Sequence, residues 1–139
     1  MKKVLGIVLT SVLVLSLAAC GAKISDTASI SGGVSTYKDG TYDAKKENNM
    51  TGYDQSVVTI KDGKIQNVDL KRLDGASQEV NYDFYDGTKR APNLKKYKQD
   101  LAKAIVENQS ANVDTISGAT LSTSGWKQTV SDALAKASK

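Results

Sequence analysis

The stretch Gln55-Ser56-Val57-Val58-Thr59-Ile60-Lys61-Asp62-Gly63-Lys64-Ile65-Gln66-Asn67-Val68-Asp69-Leu70 decides the fold. Its first six residues are rich in β-branched side chains, and Asp62-Gly63 is a dipeptide favoured where a two-residue turn needs positive φ at both positions. The stretch therefore reads as a β-hairpin. In the returning strand, Lys64 to Leu70, Val68 and Leu70 share one face while Ile65 falls on the other, so the alternation fixes the register only loosely. Upstream, Lys38-Asp39-Gly40-Thr41-Tyr42 reads as a turn entering a short strand. Downstream, residues 74–90 are polar with Tyr82, Phe84 and Tyr85 embedded, and their pattern fits a strand or a loop equally.

Two helices follow. Pro92 suits a first helical turn, and Leu94, Tyr97, Leu101, Ala104 and Ile105 recur at three- and four-residue spacing up to about Asn108. Lys95, Lys96, Lys98 and Lys103 lie mostly off that stripe and read as a solvated face, with attraction to an anionic membrane surface as the alternative. A second helix from about Ser122 to Ala137 places Trp126, Val130, Leu134 and Ala137 on one face, with Trp126 as core packing. No internal repeat is visible. The expected fold is α+β: a small curled antiparallel sheet with two packed helices.

With 139 residues, 24% charged and 40% hydrophobic, the chain suits one compact domain. It contains no His and a single Cys, which excludes His-based acid/base catalysis, a Ser/His/Asp triad, Cys/His zinc sites and internal disulfides. Neither common Gly-rich nucleotide cradle is present. Redox or hydrolytic chemistry must come with a cofactor.

Residues 1–20, MKKVLGIVLTSVLVLSLAAC, have two lysines, an apolar run from Val4 to Leu17 and a small-residue end, the layout of a secretory signal peptide. The run is shorter than the roughly 20 residues a helix needs to cross the hydrocarbon core. Leu17-Ala18-Ala19-Cys20 followed by Gly21 resembles the lipobox of bacterial lipoproteins, in which the Cys thiol is alkylated with diacylglycerol and becomes the mature N-terminus. The resemblance implies a signal peptide at 1–19, lipidation at Cys20 and a place on the extracytoplasmic face of the cell membrane. Two or three acyl chains on one N-terminus make such an anchor stable. Loss of Lys2 and Lys3 with the signal lowers the formal charge from +4 to +2, too little to indicate nucleic acid. Between Gly21 and Thr36, 11 of 16 residues are Gly, Ala, Ser or Thr, the composition of a flexible tether spanning about 20 to 24 Å. The domain is expected to occupy residues 37–139.

Between the helices, Val113-Asp114-Thr115-Ile116-Ser117-Gly118-Ala119-Thr120-Leu121-Ser122-Thr123-Ser124-Gly125-Trp126 clusters hydroxyls ahead of a helix N-terminus, where free N–H groups and the helix dipole can hold phosphate. Taken alone, the same residues also read as plain N-caps. Asp114-x-x-Ser117-Gly118-Ala119-Thr120 resembles the signature of FMN-binding domains, found in the flavin-carrying subunits of sodium-pumping quinone reductases and in flavinylated lipoproteins. Tyr37 to Tyr42, Gly52-Tyr53-Asp54 and the hairpin from Val57 to Val68 also resemble elements of that family, whereas residues 74–90 match none. The resemblance implies that Thr120 takes FMN through its 5′-phosphate from a separate flavin transferase using FAD and a divalent metal. It further implies that Gly118 and Ala119 leave room for the phosphate, and that Asp114 and Ser117 belong to the recognised sequence.

The implied role is that of an electron carrier, with no catalytic residue or metal site of its own, relaying electrons from a membrane dehydrogenase or quinol to an extracytoplasmic acceptor. Tyr42, Tyr53, Tyr82, Tyr85 and Trp126 are available to contact the flavin ring. The rival expectations are a lipoprotein that binds a small ligand or protein partner without covalent flavin, and a chain that holds FMN noncovalently.

Overall fold

The computed structural model describes residues 37–138. The signal peptide, Cys20 and the linker to residue 36 predicted from sequence lie outside the described residues. Three strands, β1 (Gly40–Asn48), β2 (Gly52–Lys61) and β3 (Lys64–Leu73), form an open antiparallel sheet in the order β1-β2-β3. A 3-10 turn spans Tyr82–Phe84, and two helices follow, α1 (Leu94–Asn108) and α2 (Thr120–Ala137). The fold is α+β, as the sequence predicts.

The hairpin turn adopts φ of 55° at Asp62 and 71° at Gly63, the conformation that makes Asp-Gly favourable there. The Asp39 carboxylate accepts from the N–H groups of Asp62 at 3.0 Å and Gly63 at 2.8 Å, tying the domain start to this turn. The imperfect alternation of β3 has a physical origin: the pairing shifts between Thr59↔Asn67 and Ile60↔Ile65, leaving one extra residue on β3. This bulge corrects the placement of Ile65 on the opposite face. Ile65, Val68 and Leu70 all point into the core.

Both helices cover one face of the sheet, where Val58, Ile60, Leu70, Leu94, Leu101, Ile105, Trp126 and Val130 are buried together. Each Val, Leu or Ile so buried contributes about 1.5–3 kcal/mol. Helix α1 starts two residues after Pro92, because Asn93 occupies the cap position and its side chain accepts from Lys96 N–H at 2.9 Å. Pro92 therefore precedes the helix and does not form its first turn. At the other end Gln109 turns left-handed with φ 53°, and its amide spans Ile65, accepting from Ile65 N–H at 2.8 Å and donating to Ile65 C=O at 2.9 Å. Each lysine predicted to line the solvated face meets a carboxylate: Lys95 with Asp83, Lys96 with Asp100, Lys98 with Asp69 and Glu79, and Lys103 with Glu107. This pairing favours the solvated face over attraction to an anionic membrane.

Helix α2 begins at the opposite end of the sheet from the hairpin turn, beside Arg72, and ends where Ala137 C=O accepts from Lys38 N–H at 2.8 Å. Because α1 ends against Ile65, next to the hairpin turn, both helices begin at the same end of the sheet. Among the described residues no helix is long and apolar enough to cross a membrane, and no cluster of acidic and Cys side chains could hold a metal ion.

The Gln109 amide joins α1 to β3 through two backbone bonds, so Gln109→Ala is expected to lower unfolding free energy by about 1–3 kcal/mol, measured by urea titration.

Candidate functional site

At the end of the sheet where both helices begin lies a buried charged pair. Asp54 on β2 and Arg72 on β3 are direct cross-strand partners whose side chains point into the helix-covered face. Arg72 Nε and Nη2 donate to Asp54 Oδ1 at 2.9 and 2.8 Å, and Nη1 donates to Ser122 Oγ at 3.0 Å in the first turn of α2. The guanidinium also lies 5.4 Å from the Trp126 ring centroid, and Trp126 Nε1 donates to Lys71 C=O at 3.0 Å. Burial raises the Asp54 carboxyl above the usual carboxylate range, more than the neighbouring Arg72 charge lowers it. Gly125 of α2 presses on this carboxylate: a Cβ there would stand 2.0 Å from Asp54 Oδ2. The pair thus sets both the azimuth and the closeness of the α2 N-terminal turns.

The signature segment runs back along α2 to that first turn. Lys127 Nζ donates to Val113 C=O and pins the start of the segment, and Val113 itself is buried. Ala119 N–H donates to Ile116 C=O at 3.0 Å, closing a turn whose third residue, Gly118, takes φ +84°. A glycine adopts that conformation without strain. Asp114, Ser117, Gly118 and Thr120 are exposed, while Ala119 is buried. Thr120 is the first residue of α2, so the helix begins two residues before the Ser122 start read from sequence. The reason is that Ala119 takes the cap position and accepts from Thr123 N–H at 2.9 Å.

No side chain caps the N-terminus of α2, whereas Asn93 caps α1. The hydroxyls of the signature are consequently not spent as an N-cap. First-turn N–H groups and the positive ends of two helix dipoles gather at this end of the sheet, an arrangement worth about 0.3–1 kcal/mol per helix to a nearby anion.

The aromatic residues singled out from sequence are dispersed. Trp126 is fully buried in the core and offers no surface to a flavin ring. Tyr42 donates to Lys38 C=O at 3.0 Å near the hairpin end, and Tyr53 carries Lys45 over its ring at 4.1 Å. Tyr82 accepts from Arg72 N–H at 2.8 Å, and Tyr85 from Arg90 at 3.4 Å. Burial pushes the Tyr82 phenol well above its ordinary pKa. Residues 74–90 form a loop held by one bridge, Leu73↔Glu79, by turns on Asp74 and Asp86 and by the 3-10 turn. A cleft of about 490 Å³ opens between this loop and α1, lined in part by Glu79, Tyr82, Lys95 and Lys98. It flanks the side of α1 bearing Lys98, away from the signature.

On the other side of α1, the Tyr97 hydroxyl stands 3.5 Å from where a Cβ on Gly118 would lie. The sequence places Tyr97 only in the helix stripe and Ser122 only in the hydroxyl cluster, and it singles out neither Arg72 nor Lys127. Arg72 had a signal: it shares the parity of Val68 and Leu70, as Asp54 shares that of Ser56, Val58 and Ile60, and opposite charges on facing buried positions demand each other.

Arg72→Met leaves the Asp54 carboxylate buried without its partner and is expected to cost about 3–5 kcal/mol, read from the urea midpoint.

The family model described as FMN-binding domain matches residues 49–135, which include the β2–β3 hairpin, α1, all but the last two residues of α2 and the whole signature. Among curated proteins, none matches the sequence. The crystal structure of the CPE2226 protein from Clostridium perfringens is similar at 26% identity and a TM-score of 0.64, covering 73% of this chain and 88% of that one. A Clostridium thermocellum protein solved by solution NMR shares the fold at 20% identity and a TM-score of 0.50, covering 73% of this chain and 93% of that one. With the matched region extending over more than half of its length, the chain belongs to the FMN-binding domain family.

Proposed function

We propose that the protein is a membrane-tethered, extracytoplasmic flavoprotein that carries FMN through its phosphate on Thr120 and relays electrons between partners. The observation that carries this reading is the placement of Thr120: exposed, first in α2, behind a glycine turn and at a helix start with no capping side chain. A phosphate is the group that such a start accommodates, since its oxygens accept from first-turn N–H groups. The residues present fit FMN on this ground. Gly118 reaches φ +84° and adds no side chain beside the acceptor, Ala119 turns inward, and Ser117 stays open to solvent.

Thr120 has no activating base beside it in the sequence. From residues 113 to 120 the only ionisable side chain is Asp114, six positions away, and there is no His anywhere. Attachment therefore falls to an external transferase: Thr120 Oγ bonds to the flavin-side phosphorus of FAD, the pyrophosphate bond breaks, AMP departs, and the hydroxyl proton passes to the transferase's base. Bound flavin supplies one- and two-electron chemistry. The chain's own part is to fix the phosphate at the α2 start through the Asp54–Arg72–Ser122 contacts behind it. Donor and acceptor are membrane or extracytoplasmic redox partners, a quinol among them. Lipidated Cys20 and the Gly/Ser/Ala/Thr-rich linker keep the domain local to the membrane, at a typical distance of about 20 to 24 Å from the headgroups.

Full-length chain made in an exporting host with a flavin transferase is expected to show flavin fluorescence on a denaturing gel, and Thr120→Ala to lose it. Colour released by denaturation of the wild type would instead indicate noncovalent FMN, and a colourless chain beside an active transferase would favour ligand or partner binding. Cys20→Ala is expected to move the domain from the membrane fraction to the soluble fraction.

A further inference from the structure

We propose that Tyr97 is a phosphate-contacting residue, its hydroxyl donating a hydrogen bond to a non-bridging oxygen of the phosphate carried on Thr120; this rests on the attachment reading above. Tyr97 lies one turn into α1 and is half-buried, and its hydroxyl makes no hydrogen bond among the described residues. The phenol is aimed at the one signature residue without a side chain. A Cβ on Gly118 would sit 3.5 Å from Tyr97 Oη, in van der Waals contact, so the glycine leaves this hydroxyl open toward the turn. Gly118 also cannot be replaced freely, because its φ of +84° disfavours any other residue.

Gly118 and Thr120 are two residues apart, at most about 7 Å along the chain, within reach of a phosphate on the Thr120 hydroxyl. Once esterified to both Thr120 and the ribityl chain, the phosphate keeps two non-bridging oxygens and one negative charge, both oxygens acceptors only. The α2 N–H groups approach it from one side. Tyr97 supplies a donor from the facing helix, and an O–H donor to an anionic oxygen makes one of the stronger hydrogen bonds. The two helices that begin together at this end of the sheet would thus both hold the phosphate, one by backbone and one by a phenol.

Tyr82 provides the control. Its hydroxyl is already engaged with Arg72 N–H, and it borders the cleft on the opposite side of α1.

The test compares full-length wild type, Tyr97→Phe and Tyr82→Phe after attachment by the same transferase. Intact mass establishes loading, and phosphorus-31 NMR reads the linked phosphate. Tyr97→Phe removes an oxygen that has no hydrogen-bond partner among the described residues, so the unloaded variant is expected to melt with the wild type. Its loaded form is expected to shift the phosphorus resonance, and its attachment to slow by about tenfold, the scale of one hydrogen bond to a charged group. Tyr82→Phe is expected to leave the resonance in place. Loaded wild type and Tyr97→Phe with coincident resonances overturn the contact, whatever the attachment rate. A wild type that acquires no FMN mass overturns the attachment reading and the contact with it.

Discussion

A guanidinium buried between two strands and a helix is what the rest of the structure depends on. Arg72 is 5% exposed and is tolerable there only because Asp54 neutralises it, Ser122 takes a third N–H direction and the Trp126 ring lies alongside. Removing a charge partner from such a site leaves an uncompensated ion in a poorly solvated environment, which costs more than an intact pair gains over apolar packing. The constraint therefore acts chiefly on geometry. It fixes which turn of α2 meets the sheet, and Gly125, with no room for a Cβ beside Asp54, fixes how close. Thr120 stands two residues before Ser122, so its position follows from the same contacts.

Local patterns carried much of the fold. Asp62-Gly63 named the hairpin because few dipeptides adopt its two positive φ values at low cost, and the three- and four-residue spacing of Leu94, Leu101 and Ile105 named α1. Helix starts were less legible. Asn93 competes with Pro92 for the first turn, and Ala119, a weak cap by side-chain chemistry, takes the cap of α2 because its burial and the Gly118 turn decide the matter. The bulge at Gln66 was hidden for a related reason. A strand's period cannot reveal an extra residue until the partner register is known, and until then Ile65 sits on the wrong face.

The candidate site divides along the same line. Asp114, Ser117, Gly118, Ala119 and Thr120 were legible as a contiguous motif, and the structure brings them to a helix start. Tyr97 was not, because it meets the motif only through tertiary packing of α1 against the Gly118 turn, and Arg72 left only a parity signal because its link to Ser122 spans β3 and α2. Trp126 was legible as core packing from its helix stripe, and its burial removes it from the aromatics available to a flavin ring: its indole is the largest fully buried side chain among the described residues. The loop at 74–90 resisted assignment because its order comes from Asx-type turns and ion pairs with α1, which carry no hydrophobic period.

A chain without His, with its one Cys in the predicted lipobox, has little chemistry of its own, and in the proposed function all of its redox capacity rests on one hydroxyl among several. Digestion of flavin-loaded protein with trypsin yields the peptide from Ala104 to Lys127, which contains Ser110, Thr115, Ser117, Thr120, Ser122, Thr123 and Ser124 together. Tandem mass spectrometry of that peptide tests the central claim most directly. The account predicts flavin phosphate on Thr120 alone; flavin on another of these hydroxyls, or a peptide without flavin from a protein that was yellow before digestion, would contradict it.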